Sequence, residues 1–230
     1  EKLHEEFPGR IIEYDYNMIL SEFPEFESPE IVEPDPQYEY SWSFIRSQGF
    51  HLVTWAFHQE AIHVILNQLA KTRGKQLDYC GFWVMEDDIA YSGNWGDLFD
   101  EYSGTADLVG EDAKKFSLEK RFYISDKFKE KFVNDPKEKI LTYAEHIVYY
   151  SRRFRDKISE FLKDGYHAHS EVSTIQFALA LNFTTNMISL DKFYKRQHLL
   201  HTDACVKTMQ HLRAMGEEKL FHKCKNEANE

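Results

Sequence analysis

The chain has 230 residues, of which 42% are hydrophobic and 15% aromatic, enough to bury one substantial core and too many for an intrinsically disordered sequence. Its formal net charge of −11 disfavours nucleic-acid binding, because that binding depends on Lys and Arg side chains that neutralise phosphates. No apolar run approaches the roughly 20 residues that a membrane span requires. We therefore predict one domain over residues 1–230, no nucleic-acid partner and no membrane span in this chain.

The first third of the chain predicts a strand, a loop and a helix. Residues 10–14 follow a Pro-Gly turn and predict a short strand, with Asp15 at its end in a position to contact a ligand. Residues 21–40 are rich in Glu, Pro and aromatic residues without a period, which is typical of a long loop that covers the core or offers faces to a sugar. Apolar residues at helical spacing predict a helix over residues 42–72, with its histidines on the surface or in packing.

A short apolar run at residues 81–85 ends in three consecutive acids, Glu86, Asp87 and Asp88. The run has the length and the aromatic and β-branched content of a buried strand. Burying unpaired carboxylates is costly, so the acids are expected at the carboxyl end of that strand, where open α/β sheets bind ligands. Adjacent carboxylates repel one another unless a cation neutralises them, and hard divalent cations prefer oxygen ligands. The stretch therefore predicts a metal site.

The middle of the chain predicts further alternating elements. A helix is expected over residues 95–102, and a strand over 106–110 ends in two acids that either line the same cleft or are simply solvated. Residues 138–163 have the clearest helical period, which places most of the side chains of Arg152, Arg153 and Arg155 toward solvent. Alternating strands and helices predict an α/β fold with a mainly parallel, Rossmann-like sheet flanked by helices.

The last third begins with a loop that carries His167 and His169. Ser170 can cap a helix that runs to about residue 182, with Glu171 in its first turn, where the helix dipole favours a carboxylate. Residues 186–190 predict a last strand, and residues 203–230 predict a polar helical tail. The three cysteines lack zinc-site spacing, and Cys205 with Cys224 is the candidate pair in an oxidising compartment.

The apolar strand, the three acids and the turn into an aromatic helix resemble the acidic motif of GT-A-fold glycosyltransferases, most similarly that of the N-acetylglucosaminyltransferase I type. The resemblance implies Mn²⁺ or Mg²⁺ held on the diphosphate of a nucleotide-sugar donor, with Asp88 on the metal. It places Glu86 and Asp87 on the ribose or the donor sugar. A late histidine contacts the metal in several GT-A families, and His198 and His201 are the candidates here.

The same resemblance implies roles for further residues. Asp15, Tyr91 and Trp95 become donor-binding candidates, the last two through aromatic faces for the sugar. The loop that delivers Glu171 to a helix start resembles the segment that supplies the acidic general base of inverting GT-A enzymes, so Glu171 is either that base or only a helix-start residue. The two loop histidines, His167 and His169, become acceptor-binding candidates.

The function implied is metal-dependent transfer of a hexosyl or N-acetylhexosaminyl group, with inversion, to a hydroxyl group of a glycan, protein or lipid acceptor. One alternative is a non-catalytic carbohydrate- or partner-binding domain on the same scaffold. Another is a metal-dependent phosphoester hydrolase, which normally needs more Asp and His ligands than this sequence offers.

GT-A domains usually open with an apolar strand and a loop that grip the nucleotide base, and little precedes residue 10 here. We therefore expect a GT-A-like domain that is truncated at its N-terminus, which leaves the nucleotide open. The sequence begins at Glu1 without a signal-peptide pattern, so an upstream segment is expected to have been removed. The expected location is the Golgi or another secretory lumen if a eukaryotic anchor is missing, and the cytoplasm otherwise.

Overall fold

The computed structural model describes residues 14–24, 57–73, 78–86, 88–111, 113–117, 124–133, 139–143, 145–194, 200–221 and 224–225. The chain divides into two compact units, each assembled from three stretches. The first unit comprises residues 1–79, 115–141 and 156–177, and the second comprises 80–114, 142–155 and 178–230. The single-domain prediction stays a prediction, because the stretches of the two units alternate along the chain.

Helices and strands alternate along the described chain, which confirms the α/β class. The helices are α1 (Tyr16–Glu22), α2 (His58–Arg73), α3 (Trp95–Tyr102), α4 (Asp126–Phe132), α5 (Arg152–Lys163), α6 (Ser170–Ala180) and α7 (Thr202–Met215), with a 3-10 turn at Leu190–Lys192. The strands are β1 (Gly81–Met85), β2 (Ala90–Tyr91), β3 (Leu108–Gly110), β4 (Ala113–Ser117), β5 (Lys139–Tyr143), β6 (Ile147–Ser151), β7 (Thr185–Met187), β8 (Leu200–His201), β9 (Leu220–Phe221) and β10 (Cys224–Lys225). Among the described residues, no helix is long and apolar enough to span a membrane.

The main sheet belongs to the second unit and has the strand order β1-β6-β3-β7. Strand β6 runs antiparallel to both β1 and β3, whereas β3 and β7 are parallel. Strands β1, β3 and β7 therefore point in one direction and β6 in the other. The expectation of a mainly parallel sheet is corrected to a mixed sheet, because the reversed strand β6 lies between β1 and β3. The other strands form three two-stranded sheets, β2 with β9, β4 with β5 and β8 with β10.

The predicted helix over residues 138–163 is wrong in its first half, which forms β5 and β6 instead. Its predicted helical stripe included Ile147 and Val148, but these belong to the continuous run Ile147-Val148-Tyr149-Tyr150, whose side chains are all at most 5% exposed. A run of β-branched and aromatic residues buried on both faces suits a central strand better than a helix with a single buried stripe. The helical period is genuine only in α5, where Arg155 is 1% exposed and so does not face solvent as predicted.

Strand β1 has the predicted bounds, but it is half-buried rather than buried, and Met85 is 44% exposed. It lies at one side of the four-stranded sheet and pairs with β6 from Gly81 opposite Ser151 to Met85 opposite Ile147. A Cβ atom on Gly81 would lie 2.1 Å from Tyr149 Oη, so the close approach of that ring requires glycine at the start of the strand.

Aromatic side chains dominate the core of the second unit. Trp83 stacks on Phe99 with ring centroids 5.0 Å apart, and Phe99 stacks on Trp95 at 5.6 Å. The buried members of this core are Tyr91, Leu98, Tyr102, Ala106, Val109, Ile147, Tyr149, Ile188 and Leu220. The predicted helix over 95–102 is confirmed, and Asn94 caps it by accepting a hydrogen bond from the Gly96 amide at 2.9 Å.

Several other sequence predictions meet the structure only in part. The predicted loop over 21–40 begins inside α1, which extends to Glu22, and the predicted helix over 42–72 is described only as α2. Strand β7 is not the last strand, because β8, β9 and β10 follow it, and β9 and β10 interrupt the predicted helical tail. The predicted strand over 10–14, apart from Tyr14, lies outside the described residues.

The cysteines differ in state. Cys205 is disulfide-bonded and 1% exposed, whereas Cys80 is a free, exposed thiol. The predicted pairing of Cys205 with Cys224 stays a prediction, since the side chain of Cys224 lies outside the described part of the chain.

A buried carboxylate at the start of β3 ties three segments of the second unit together. Asp107 is 4% exposed and accepts hydrogen bonds from Ser151 Oγ at 2.8 Å, from Thr184 Oγ1 at 2.8 Å and from the Arg153 guanidinium. Burial by itself would raise the pKa of Asp107, but the hydrogen bonds from Arg153, Thr184 and Ser151 outweigh it and hold that pKa well below its usual range. The carboxylate is therefore a structural anchor of the sheet.

Replacing Asp107 with Asn is expected to lower the free energy of unfolding by about 2 kcal/mol at pH 7, because charge-assisted hydrogen bonds are lost while Arg153 keeps contact with water. Since the folded-state pKa is depressed, this stabilisation is present above the unfolded pKa of about 3.9 and is lost as the pH falls below it. Urea unfolding at pH 7, 5 and 3 should show that the difference in free energy of unfolding between wild type and Asp107→Asn becomes smaller as the pH falls. Asp100→Asn, at an exposed acid of α3, is the control, and a deficit independent of pH would contradict the prediction.

Candidate functional site

The acidic residues that follow β1 and β3 lie at one edge of the four-stranded sheet. Because β1 and β3 point the same way, Glu86 and Glu111 both follow carboxyl ends at that edge. The reversed strand β6 starts there, preceded by Glu145 and His146. We call Glu86, Asp88, Glu111, Glu145 and His146 the acidic edge. The expectation that Glu86 and Asp88 follow the carboxyl end of a strand is confirmed, whereas Asp87 lies outside the described residues.

A histidine that the sequence did not single out contacts the acidic motif directly. His146 Nδ1 lies 2.8 Å from Glu86 Oε2, and each side chain is 21% exposed. The backbone repeats the link, since the Glu86 amide donates to the His146 carbonyl at 2.9 Å. This pairing orients Glu86 at the start of the connection between β1 and β2, which we call the acidic loop and of which Glu86, Asp88 and Ile89 are described. His146 was overlooked because residues 138–163 predicted one helix, which hid the approach to β6.

The acidic edge combines buried and accessible carboxylate oxygens. One oxygen of each of three acids is buried, namely Asp88 Oδ1, Glu111 Oε1 and Glu145 Oε2. The Tyr150 hydroxyl donates to the other oxygen of Glu145 at 3.2 Å. Glu145 is 2% exposed, so it is part of the sheet interior, while Glu86, Asp88 and Glu111 remain half-exposed. These last three are the acids of the edge that keep partial contact with solvent.

The carboxylate oxygens of this edge suit a hard divalent cation only when a bound phosphate compound supplies further oxygen ligands. Within the described residues, no group of three or more His, Cys, Asp or Glu side chains is arranged to hold a metal ion. Mg²⁺ and similar cations, however, are usually bound through one or two carboxylates plus substrate phosphates and water. Asp88, with Glu86 or Glu111 at the same edge, would supply one or two carboxylates to such a set. The residues therefore fit a cation that arrives with a phosphate ligand.

Tyr91 and Trp95, predicted to face the donor sugar, pack inside the second unit. Tyr91 is 2% exposed and its hydroxyl donates to Glu218 Oε2 at 2.9 Å. Burial and this carboxylate raise the pKa of Tyr91. Trp95 is partly buried, with its ring centroid 5.2 Å from that of Tyr91. Their donor-binding role stays a prediction to which this packing lends no support.

Asp15 was predicted to bind the nucleotide-sugar donor and His201 to bind the metal, and neither role is supported by a described contact. Asp15 is exposed and caps α1, where its Oδ1 accepts a hydrogen bond from the Met18 amide at 2.9 Å. Its ligand role therefore competes with a helix cap that explains it fully. His201 lies on the short strand β8, and its side chain is outside the described part of the chain.

The first unit buries both histidines of the loop before α6. His167 is 1% exposed and its Nδ1 lies 2.9 Å from Oε1 of Glu60, which is 0% exposed on α2. Phe23 contacts the His167 ring edge-on at 5.4 Å. His169 is 0% exposed as well. The acceptor-binding role of the two histidines stays a prediction, and their burial favours packing. Glu60 was not foreseen, because nothing in its helical sequence context distinguishes it from a surface acid.

Glu171 occupies the predicted position in the first turn of α6. The helix begins at Ser170, and the His169 carbonyl accepts from the amides of Val172 at 2.8 Å and Ser173 at 2.9 Å. Ser170 therefore opens the helix rather than preceding it as the predicted cap. Glu171 is half-buried, whereas Ser170 is only 1% exposed.

Stability is expected to fall as the pH drops below about 6.5, because His169 is buried in a neutral form. Burial, reinforced by the nearby His58, lowers the pKa of His169 to about 3. Because the pKa of His169 is lower in the folded than in the unfolded protein, the free energy of unfolding is highest above the unfolded pKa. It falls by about 1.4 kcal/mol per pH unit between the unfolded pKa and the folded pKa. Urea unfolding between pH 7.5 and 5 measures the slope. His169→Gln should flatten it relative to His211→Gln, an exposed control, and an unchanged slope would contradict the assignment.

Comparison of the chain with protein-family models, with curated proteins and with solved structures found no match.

Proposed function

We propose that this chain is a metal-dependent glycosyltransferase that moves a sugar from a nucleotide-diphospho-sugar donor to a hydroxyl acceptor with inversion. The proposal extends to a hexosyl or N-acetylhexosaminyl donor and to Mn²⁺ or Mg²⁺ as the cation. The observation that supports it most is the gathering of Glu86, Asp88 and Glu111 at one sheet edge, after two strands that point the same way. That edge is where open α/β sheets bind ligands.

The acidic edge has the chemistry that a diphosphate leaving group requires. A net charge of −11 would repel a nucleotide-sugar, so binding needs a cation between the acids and the phosphates. When bound, such a cation would supply positive charge toward the departing diphosphate. Asp88 would be its protein ligand, and Glu86, oriented by His146, would contact the donor.

The acceptor half of the reaction requires a base. Glu171 is the candidate, because a half-exposed carboxylate can take the proton of an acceptor hydroxyl as its oxygen attacks the anomeric carbon. The atoms balance: the bond from the acceptor oxygen to the anomeric carbon forms, the bond to the diphosphate oxygen breaks, and the proton goes to the carboxylate. Attack opposite the leaving group inverts the configuration.

Calorimetric titration tests the donor half of this proposal. Mn²⁺ alone should bind weakly, and Mn²⁺ with one member of a panel of UDP, GDP, CDP and ADP should bind more tightly, because the phosphates complete the coordination shell. The same panel with EDTA is the control. If no nucleoside diphosphate binds with either Mn²⁺ or Mg²⁺, the donor site and the enzyme proposal both fail.

The alternative is a non-catalytic carbohydrate- or partner-binding domain. The burial of Tyr91, His167 and His169, which were expected at the ligand surfaces, is the observation that favours it. It predicts that the donor is not hydrolysed and that its sugar is not transferred, even when donor and cation bind. Single-turnover assays with donor and a mixed acceptor panel distinguish the two.

A further inference from the structure

The residues directly after the acidic motif, in β2, are hydrogen-bonded to β9, which follows them by more than a hundred residues in the chain. Strand β2 pairs antiparallel with β9, with Ala90 opposite Phe221 and Tyr91 opposite Leu220. The ladder continues one residue further, because the Ser92 amide donates to the Lys219 carbonyl at 3.0 Å. The Lys219 amide in turn donates to Ser92 Oγ at 2.7 Å.

Side chains reinforce this backbone pairing. Arg213, in the last turn of α7, donates from Nε to the Ser92 carbonyl at 2.7 Å and from Nη2 to the Tyr91 carbonyl at 3.2 Å. Ser92 is 2% exposed, and its hydroxyl donates to the Glu217 carbonyl at 2.9 Å. One guanidinium thus joins two successive carbonyls, a contact for which its planar fork is suited. We call Arg213 with residues 217–221 the C-terminal clamp.

A glycine keeps the clamp closed. A Cβ atom on Gly93 would lie 2.7 Å from the Tyr91 ring and 2.8 Å from the Glu218 carboxyl carbon. The hydrogen bond between the Tyr91 hydroxyl and Glu218 therefore depends on the bare backbone of Gly93. Since Tyr91 also belongs to the core of the second unit, the clamp is continuous with that core.

The clamp fixes the second end of the acidic loop. At the first end, the Glu86 amide donates to the His146 carbonyl at 2.9 Å, and the Ile89 amide then donates to the Glu86 carbonyl at 3.3 Å. Asp88 lies within the turn that this second bond closes, two residues before the clamped residues 90–92. A loop held at both ends has little conformational freedom to lose when a ligand binds, which favours affinity.

We propose that Arg213 is a positioning residue that holds the acidic loop in the geometry needed to bind a divalent cation with a nucleoside diphosphate. This inference rests on the proposed function and deepens it, because it assigns a role at the same site to a residue that touches neither cation nor nucleotide. Mutation of a group that orients metal ligands typically weakens metal affinity by about 10- to 100-fold, and we expect an effect of this size for Arg213.

The test compares the wild-type chain with three single-substitution variants of it, Arg213→Gln, Arg213→Lys and Lys207→Gln. Lys207 is exposed on the same helix, so Lys207→Gln removes one positive charge without touching the clamp. Arg213→Gln should weaken Mn²⁺ binding in the presence of the best nucleoside diphosphate by about 10- to 100-fold, while Lys207→Gln should match wild type. If charge alone matters, Arg213→Lys will also match wild type, and the role of the two-carbonyl contact is overturned.

Hydrogen exchange supplies a readout that needs no ligand. In Arg213→Gln, the amides of Glu86, Ile89 and Ser92 should exchange about tenfold faster, while those of β6 remain as in wild type. Unchanged exchange at these amides overturns the positioning role, and so does faster exchange with unchanged Mn²⁺-nucleotide affinity. If wild type binds no Mn²⁺-nucleotide pair, the proposed function fails, and the exchange data still decide whether Arg213 holds the loop.

Discussion

Replacing Asp88 with Asn is expected to abolish metal-dependent nucleotide binding and turnover while the fold persists. One carboxylate oxygen of Asp88 is buried, while the residue as a whole is partly exposed just beyond β1. Asn keeps the size of Asp but removes the charge that a cation requires. Loss of a direct ligand should weaken Mn²⁺-nucleotide binding by more than about 100-fold, beyond what supporting residues contribute. The free energy of unfolding should change by no more than about 1 kcal/mol, because acids clustered at a sheet edge contribute repulsion rather than packing.

Calorimetry with Mn²⁺ and the nucleoside diphosphates, together with thermal unfolding of the same samples, measures both parts. Asp100→Asn removes an exposed acid of α3 in the same unit and is the matched control. A large drop in thermal stability with Asp88→Asn, or retained metal-dependent binding, would mark Asp88 as structural and remove it from the cation site.

Replacing Glu171 with Gln should separate an enzyme from a binding module. Loss of a general base typically lowers the rate by about 10² to 10⁴, so turnover should fall by that factor. A carboxylate in the first turn of a helix contributes only about 0.3 to 1 kcal/mol through the helix dipole, so stability should hardly change under either role. Donor and cation affinity should persist, because the cation ligands are unaltered.

Steady-state and single-turnover rates, measured with donor affinity on the same preparation, check this prediction. Glu130→Gln, at an exposed position on α4, controls for loss of one carboxylate from the first unit. Normal donor binding with wild-type transfer would exclude Glu171 from the mechanism. The base would then have to be sought at Glu111, Asp112 or Asp203.

Local patterns in the sequence determined the elements whose signals are short-range. The aromatic run of β1 and its three acids predicted a strand with carboxylates beyond its end, because unpaired charges cannot enter a core. The pattern of residues 95–102 predicted α3, and Ser170 with Glu171 predicted the start of α6, since caps and first-turn acids act through neighbouring backbone groups. These interactions span at most one helical turn, so the sequence alone contains them.

The tertiary structure alone decided the identity of β6 and the environment of the site. Ile147 and Val148 fit the helical spacing of residues 138–163 as well as a strand, and burial between β1 and β3 selects the strand. That choice reverses one strand of the sheet and brings His146 against Glu86. The contact of Arg213 with the carbonyls of Tyr91 and Ser92 spans more than a hundred residues. No local pattern encodes such contacts, because they arise from packing and from hydrogen-bond partners that only folding brings within reach.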